Sequence, residues 1–142
     1  MKKLLLIFTL LFSTLMFSSP SYGEWTKVSK NVHGDSFYVD FERIKKHGGY
    51  VYWWSLSDYL EPTKYGDLSD KKYKQGDCNL FRYKELSYSF HQEPMGEGNG
   101  DVSEPMAALK GWKYPSPNSS AEMILTNVCS LSELILEGNG KS

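Results

Sequence analysis

The sequence predicts an α+β domain: an antiparallel sheet of about five or six strands, with one C-terminal helix packed on it and tethered by a disulfide. Three observations predict it. Short runs of alternating polar and apolar residues recur between Gly, Pro, Asn and Asp clusters, as in strands joined by turns. One late segment changes to helical spacing behind a capping motif. Cys78 and Cys129, the only cysteines among 142 residues, lie before a strand and within that late segment. Aromatic residues make up 15% of the chain, which suits a β-rich globule and excludes a disordered one.

The chain opens with an export signal. Met1-Lys2-Lys3 is a positive start, Leu4 to Phe17 is an apolar stretch, and Ser21 and Gly23 are small residues before Glu24. This predicts a signal peptide over 1–23 and one mature domain over 24–142. The apolar stretch is short for a membrane span, which needs about 20 residues. No later stretch is long enough, so the mature chain is expected to lack a transmembrane segment. With no cysteine near the cleavage zone it is also expected to lack a lipid anchor, and to be periplasmic or at the cell surface. Without Lys2 and Lys3 the mature chain has 14 basic and 17 acidic side chains, a charge of −3. That excludes a strongly basic nucleic-acid binder.

The mature elements follow in order. Trp25 to Ser29 reads as a strand, Asn31 to Asp35 as a turn, and Ser36 to Asp40 as the second strand of a hairpin. Asp40 is a candidate N-cap for a helical turn at 41–44. Lys45 to Gly49 reads as a basic turn. Tyr50 to Leu60 is the clearest strand. Tyr50, Tyr52, Trp54 and Leu56 share its more apolar face, which is expected on the core. Trp53 falls on the other face, as a rim contact, part of a second small cluster, or an exposed binding aromatic. Glu61 to Leu68 reads as a loop.

Ser69 to Cys78 is Lys-rich and reads as an edge strand, where Lys71, Lys72 and Lys74 discourage pairing with other chains. Phe81 to His91 is a further strand, with either a bulge near Lys84 or a paired, partly buried Arg82. Gln92 to Val102 reads as a flexible loop. Its GEGNG segment lacks the Lys-Ser/Thr of a phosphate loop. Glu104 to Gly111 is compatible with a helical turn, and Trp112 to Pro115 with an extended segment. Ser119 and Glu122 form a capping box. Ala121, Ile124, Leu125, Val128 and Leu131 then predict a helix from 119 to 132 or 136, ended by Gly138, with the last residues frayed.

In an oxidising compartment the two cysteines most simply pair with each other. The loop of about 50 residues would then contribute about 4 kcal/mol. An intermolecular bridge, free thiols and a metal site are the alternatives. His33, His47 and His91 are too scattered to support a metal. No cofactor motif is present. Asp35, Asp58, Asp77 and Glu85 could serve paired-carboxylate chemistry, but the sequence shows no catalytic constellation, and a non-enzyme is expected.

The mature chain resembles the surface-adhesin protein E family of Gram-negative bacteria. The resemblance is carried in order by Trp25, Tyr38-Val39-Asp40, Ile44, Trp54, Asp58-Tyr59, Asp77-Cys78, Arg82, Met95-Gly96, Gly98, Trp112, Tyr114-Pro115 and Cys129. It implies an antiparallel sheet with a disulfide-tethered C-terminal helix, and a role in binding host extracellular-matrix proteins. Candidate binding residues are Trp53, Tyr59 and Tyr83, because aromatics supply much interface energy, together with Lys71, Lys72 and Lys74. The runner-up reading is a periplasmic envelope protein, such as a hydrolase inhibitor or assembly factor, with the loop at 95–100 entering a cleft. The expected partner is a protein, from host matrix or envelope, and a homodimer is open to such a domain.

Overall fold

The structure, a computed structural model, describes residues 24–139. The signal read at residues 1–23 and the last residues, 140–142, lie outside them. One antiparallel sheet contains β1 (Thr26–Lys30), β2 (Ser36–Val39), β3 (Lys45–His47), β4 (Tyr50–Asp58), β5 (Ser69–Asp77), β6 (Arg82–His91) and β7 (Val102–Ser103). The strand order is β1-β2-β4-β5-β6-β7, and β3 also pairs with β4. One α-helix among the described residues, α1 (Ser120–Asn139), follows. The predicted class is therefore observed, with two short strands added.

The length of β4 explains one addition. Its C-terminal half, Ser55 to Asp58, pairs with β2, and its first residues, Tyr50 to Tyr52, pair with β3. The segment expected as a basic turn is thus a hairpin strand. Gly48 and Gly49 form its turn at φ +59° and +82°, a region glycine enters without a Cβ penalty. Asp40 precedes a 3-10 turn at Phe41–Arg43 but does not cap it through its side chain. Its carboxylate instead lies 3.2 Å from Arg43 Nε.

β5 is central, not an edge. It pairs with β4 over Ser69–Gly76 on one side and with β6 over Ser69–Asp77 on the other. Lys71 and Lys72 are only partly buried, their aliphatic stems covering apolar surface, whereas Lys74 is buried and bears a desolvation cost. β6 has both features offered as alternatives. Its register shifts between Glu85 and Ser87, opposite Tyr73 and Lys74. Arg82 is also part-buried and paired to Asp77 at 3.0 Å.

The helix forms where its capping box predicts. Glu122 N–H donates to Ser119 Oγ at 3.2 Å, although the Glu122 carboxylate accepts from Asn118 N–H instead of closing the box on Ser119. The helix runs through Gly138 rather than ending there. Ile124, Leu125 and Val128 are buried against Val39, Val51 and Trp53. The helix therefore covers the β4 face of Val51 and Trp53. This corrects the expectation that the Tyr50, Tyr52 and Trp54 face forms the core. Burying the tyrosines and Trp54 was not required, because amphipathic aromatic rings remain soluble at a surface.

Two links hold the helix down. Cys78 and Cys129 are bonded, with Cα atoms 5.8 Å apart. Gly76 lies directly beneath the helix. A Cβ there would come within 2.7 Å of Trp53 Cζ3 and 3.1 Å of Leu125 Cδ1. Gly76→Ala should therefore destabilise the protein by about 1–3 kcal/mol, the usual cost of overpacking. The midpoint of urea unfolding should fall, and an unchanged midpoint would show that the helix does not sit this tightly on the sheet.

Candidate functional site

The sheet face opposite the helix is divided in two. One end is closed by the loop after β6. Met95 N–H donates to Asp58 Oδ1 and Gly96 N–H to Ser69 Oγ, both at 2.8 Å. His91 Nε2 lies 2.8 Å from Ser89 Oγ, and its Nδ1 lies 3.1 Å from the Glu97 carbonyl oxygen. A Cβ on Gly96 would approach Leu56 and Lys71 to 3.0 Å. The loop thus lies flat on the sheet and buries Leu56. The GEGNG segment expected as a flexible turn begins at this pinned, buried glycine.

The other end carries a group of partly exposed aromatic rings. Strand alternation places Tyr50, Tyr52 and Trp54 on this face, and the register sets Tyr73 beside Trp54. The Trp54 and Tyr73 ring centroids are 5.0 Å apart, and those of Tyr52 and Tyr73 are 6.1 Å apart. Trp112 lies against Tyr50 at 5.5 Å. Its segment is held by Lys113, whose N–H and carbonyl both bond the Tyr83 backbone. Cations complete the surface. Arg82 and Lys84 sit 4.3 and 4.4 Å from the Trp112 ring. Lys45 and His47 are exposed at the margin, aligned with Tyr52 and Tyr50.

Asp77 tempers this charge through its pairing with Arg82. The Leu80 N–H, then Arg82 and the Asn79 N–H, hold the Asp77 carboxyl below the ordinary carboxylate range. Burial, and then the neighbouring Tyr52, raise the Tyr73 phenol above its usual value. The Tyr73 ring is therefore a neutral stacking surface at physiological pH, and Lys84 lies on the neighbouring Trp112 ring. Such a surface can bind a partner by stacking and cation–π contact. Among the described residues, no group of three or more His, Cys, Asp or Glu is arranged to hold a metal ion.

The residues singled out from sequence occupy different places. Trp53 is 1% exposed and belongs to the core under the helix, so it presents no binding surface. Its neighbour Trp54, on the opposite face, is partly exposed. Tyr83 is half-buried beside the same core. Tyr59 donates its hydroxyl to buried Asp70. Burial and then the Asp70 charge push its phenol well above the ordinary range. Lys71 lies beneath the pinned loop, whereas Lys72 and Lys74 point to the helix side, so the three do not form one patch. Lys72 is engaged with Asp70 and Glu85. Tyr50, Tyr52, Trp54, Tyr73 and Trp112 were missed as a site. Their face of β4 is the more aromatic one and was expected in the core, but the helix lies on the face of Val51 and Trp53.

Among the described residues this combination defines one sheet and one helix with a partly exposed aromatic face. The chain belongs to the surface-adhesin protein E family, matching it over residues 25–130. Its fold is shared with Haemophilus influenzae protein E. For crystal form II of that protein the TM-score is 0.56 at 19% identity, over 80% of this chain and 91% of that one. Protein E from non-typeable Haemophilus influenzae gives a TM-score of 0.52 at 20% identity, over 80% and 79% of the two chains. No curated protein matches the chain.

The buried lysine generates a pH prediction. Lys74 is depressed from 10.5 to about 8, first by burial and then by Lys72. Below pH 8 it is charged in both folded and unfolded states, and the full cost of its burial is present. Between 8 and 10.5 the folded protein releases the proton while the unfolded chain keeps it, so this contribution to stability rises with pH. Lys74→Met should therefore stabilise the protein at pH 7, by about 3 kcal/mol at most. Thermal unfolding at successive pH values should show the difference shrinking towards pH 10.5. A pH-independent difference would contradict the assignment.

Proposed function

We propose that the protein is an exported, non-catalytic binding domain of the adhesin type that engages a protein ligand through the bare end of its sheet. The favoured ligand class is host extracellular-matrix protein. The observation that carries this reading is the group formed by Tyr50, Tyr52, Trp54, Tyr73 and Trp112. It is partly exposed and lies beside Lys84 and Arg82. Large rings and Arg at the centre of an interface are the usual carriers of binding energy. Family membership supports the adhesin class, and the apolar leader of the sequence supports export. The sheet-and-disulfide scaffold holds the rings in place, so little ordering cost remains on binding.

The envelope reading differs in its partner. Its motivation, a glycine loop entering a cleft, is weakened because Gly96 is buried and the adjoining backbone is bonded to Asp58 and Ser69. Two single variants test the proposed face: Tyr52→Ala and Trp112→Ala. Each should reduce binding to immobilised matrix proteins by about 30-fold, the equivalent of a 2 kcal/mol interface residue. Far-UV circular dichroism and the unfolding midpoint should remain close to those of the parent. Retained binding by both variants would remove this face from the account. Binding to the bacterium's own envelope proteins, with none to matrix proteins, would favour the runner-up.

A further inference from the structure

A second feature lies on the helix side of the sheet and is independent of the proposed adhesin face. Between the first turn of α1 and strands β2, β4, β5 and β6 is a partly open cavity of about 160 Å³. Its lining includes Phe37, Ser57, Lys72, Lys74, Ser120 and Ile124. At about 30 Å³ per molecule it could accommodate about five waters. A ligand group of comparable size would have four or five heavy atoms.

Lys74 is the unusual wall residue. It is only 8% exposed, yet its ammonium has no hydrogen bond or ion pair among the described residues. It lies over the Tyr83 ring, 5.3 Å from Nζ to centroid. The surrounding charges do not supply a direct partner. Glu85 places one oxygen 3.9 Å from Lys72 and the other 3.5 Å from Lys113. Asp70 accepts the Tyr59 hydroxyl and lies 3.7 Å from Lys72. A buried charge without a partner is costly, and natural structures normally satisfy one.

The opposite wall also favours negative charge. Ser120 and Ala121 line the cavity in the first turn of a 20-residue helix, where the helix dipole is positive. Two independent features, a nine-tenths-buried Lys74 side chain without an ion pair among the described residues and a helix N-terminus, thus meet at one small space. The charge balance selects the anion. Lys72, Lys74 and Lys113 face Glu85 and Asp70, leaving one positive charge uncompensated. A monoanion neutralises that excess, whereas a dianion would reverse it. Phe37 and Ile124 add apolar surface suited to a short alkyl stem.

We propose that this cavity binds a small aliphatic monocarboxylate, with Lys74 and the first turn of α1 facing the carboxylate and Phe37 and Ile124 facing its stem. The ligand makes the direct ion pair that Lys74 lacks. It also joins the helix N-terminus to the middle of the sheet, at the end of α1 remote from the disulfide. Occupancy should therefore stabilise the helix–sheet contact.

Nuclear magnetic resonance titration with sodium propionate tests the assignment, using sodium chloride at equal ionic strength as control and inorganic phosphate as the competing anion. The expected result is a saturable change at the Lys74 ε-carbon and at the Ser120 and Ala121 amides. The Lys74 titration midpoint should move upward from about 8, because a bound carboxylate favours the charged amine. Lys74→Met should weaken propionate binding at least tenfold while retaining the folded amide spectrum. Lys46→Met, in the exposed β3–β4 hairpin, should bind as the parent does. Absence of a saturable change, or unchanged propionate affinity in Lys74→Met, would overturn the proposal. Tighter binding of phosphate than propionate would overturn the monocarboxylate assignment.

Discussion

The position of α1 on one face of the sheet is the constraint from which the other properties follow. The helix lies where Gly76 leaves space for the Trp53 ring to meet Leu125. Ile124 and Val128 extend that contact to Val39 and Val51. The Cys78–Cys129 bond fixes the helix near the β5–β6 connection. It closes a chain segment of 51 residues, which contributes about 4 kcal/mol in the chain-entropy account. Because this is the only α-helix among the described residues, the choice of one sheet face leaves part of the other uncovered.

That uncovered part gives the family resemblance a physical reading. Its residues fall into distinct groups in three dimensions. Val39 and Ile44 contribute to the core, and Cys78 and Cys129 fasten the helix. Asp58, Met95 and Gly96 bond the loop onto the far end of the sheet. Gly98 occupies a φ of +73°, and a Cβ there would come within 3.0 Å of Glu93. Trp54, Arg82 and Trp112 belong to the bare aromatic end. The same short chain therefore separates residues that hold the scaffold from residues that line its partly exposed aromatic end.

Much of this architecture was legible in the residues. The capping Ser119 and the spacing of Ile124, Leu125 and Val128 identify the helix because both signals depend on local backbone geometry. The two cysteines and the longer strands were legible for similar reasons. The face of β4 was not. Tyr50, Tyr52, Trp54 and Leu56 are more apolar than Val51, Trp53, Ser55 and Ser57, yet the second set lies under the helix. Ser55 and Ser57 border the helix-side cavity, where bulk is not required, and Leu56 is buried by a loop rather than by the helix. Lys74 misled for a related reason: lysine composition suggests an edge, but burial is set by what crosses the strand. The three-residue β3 and two-residue β7 were too short to show an alternating pattern.

Adjacent tryptophans provide a direct test of this two-sided arrangement. Hydroxyl-radical footprinting of the oxidised protein should modify Trp54 and Trp112 while sparing Trp53. Reduction of the disulfide should increase modification of Trp53 as the helix loosens, with little change at Trp54. Equal modification of Trp53 and Trp54 in the oxidised protein would contradict the account, since the helix would then not cover the face assigned to it.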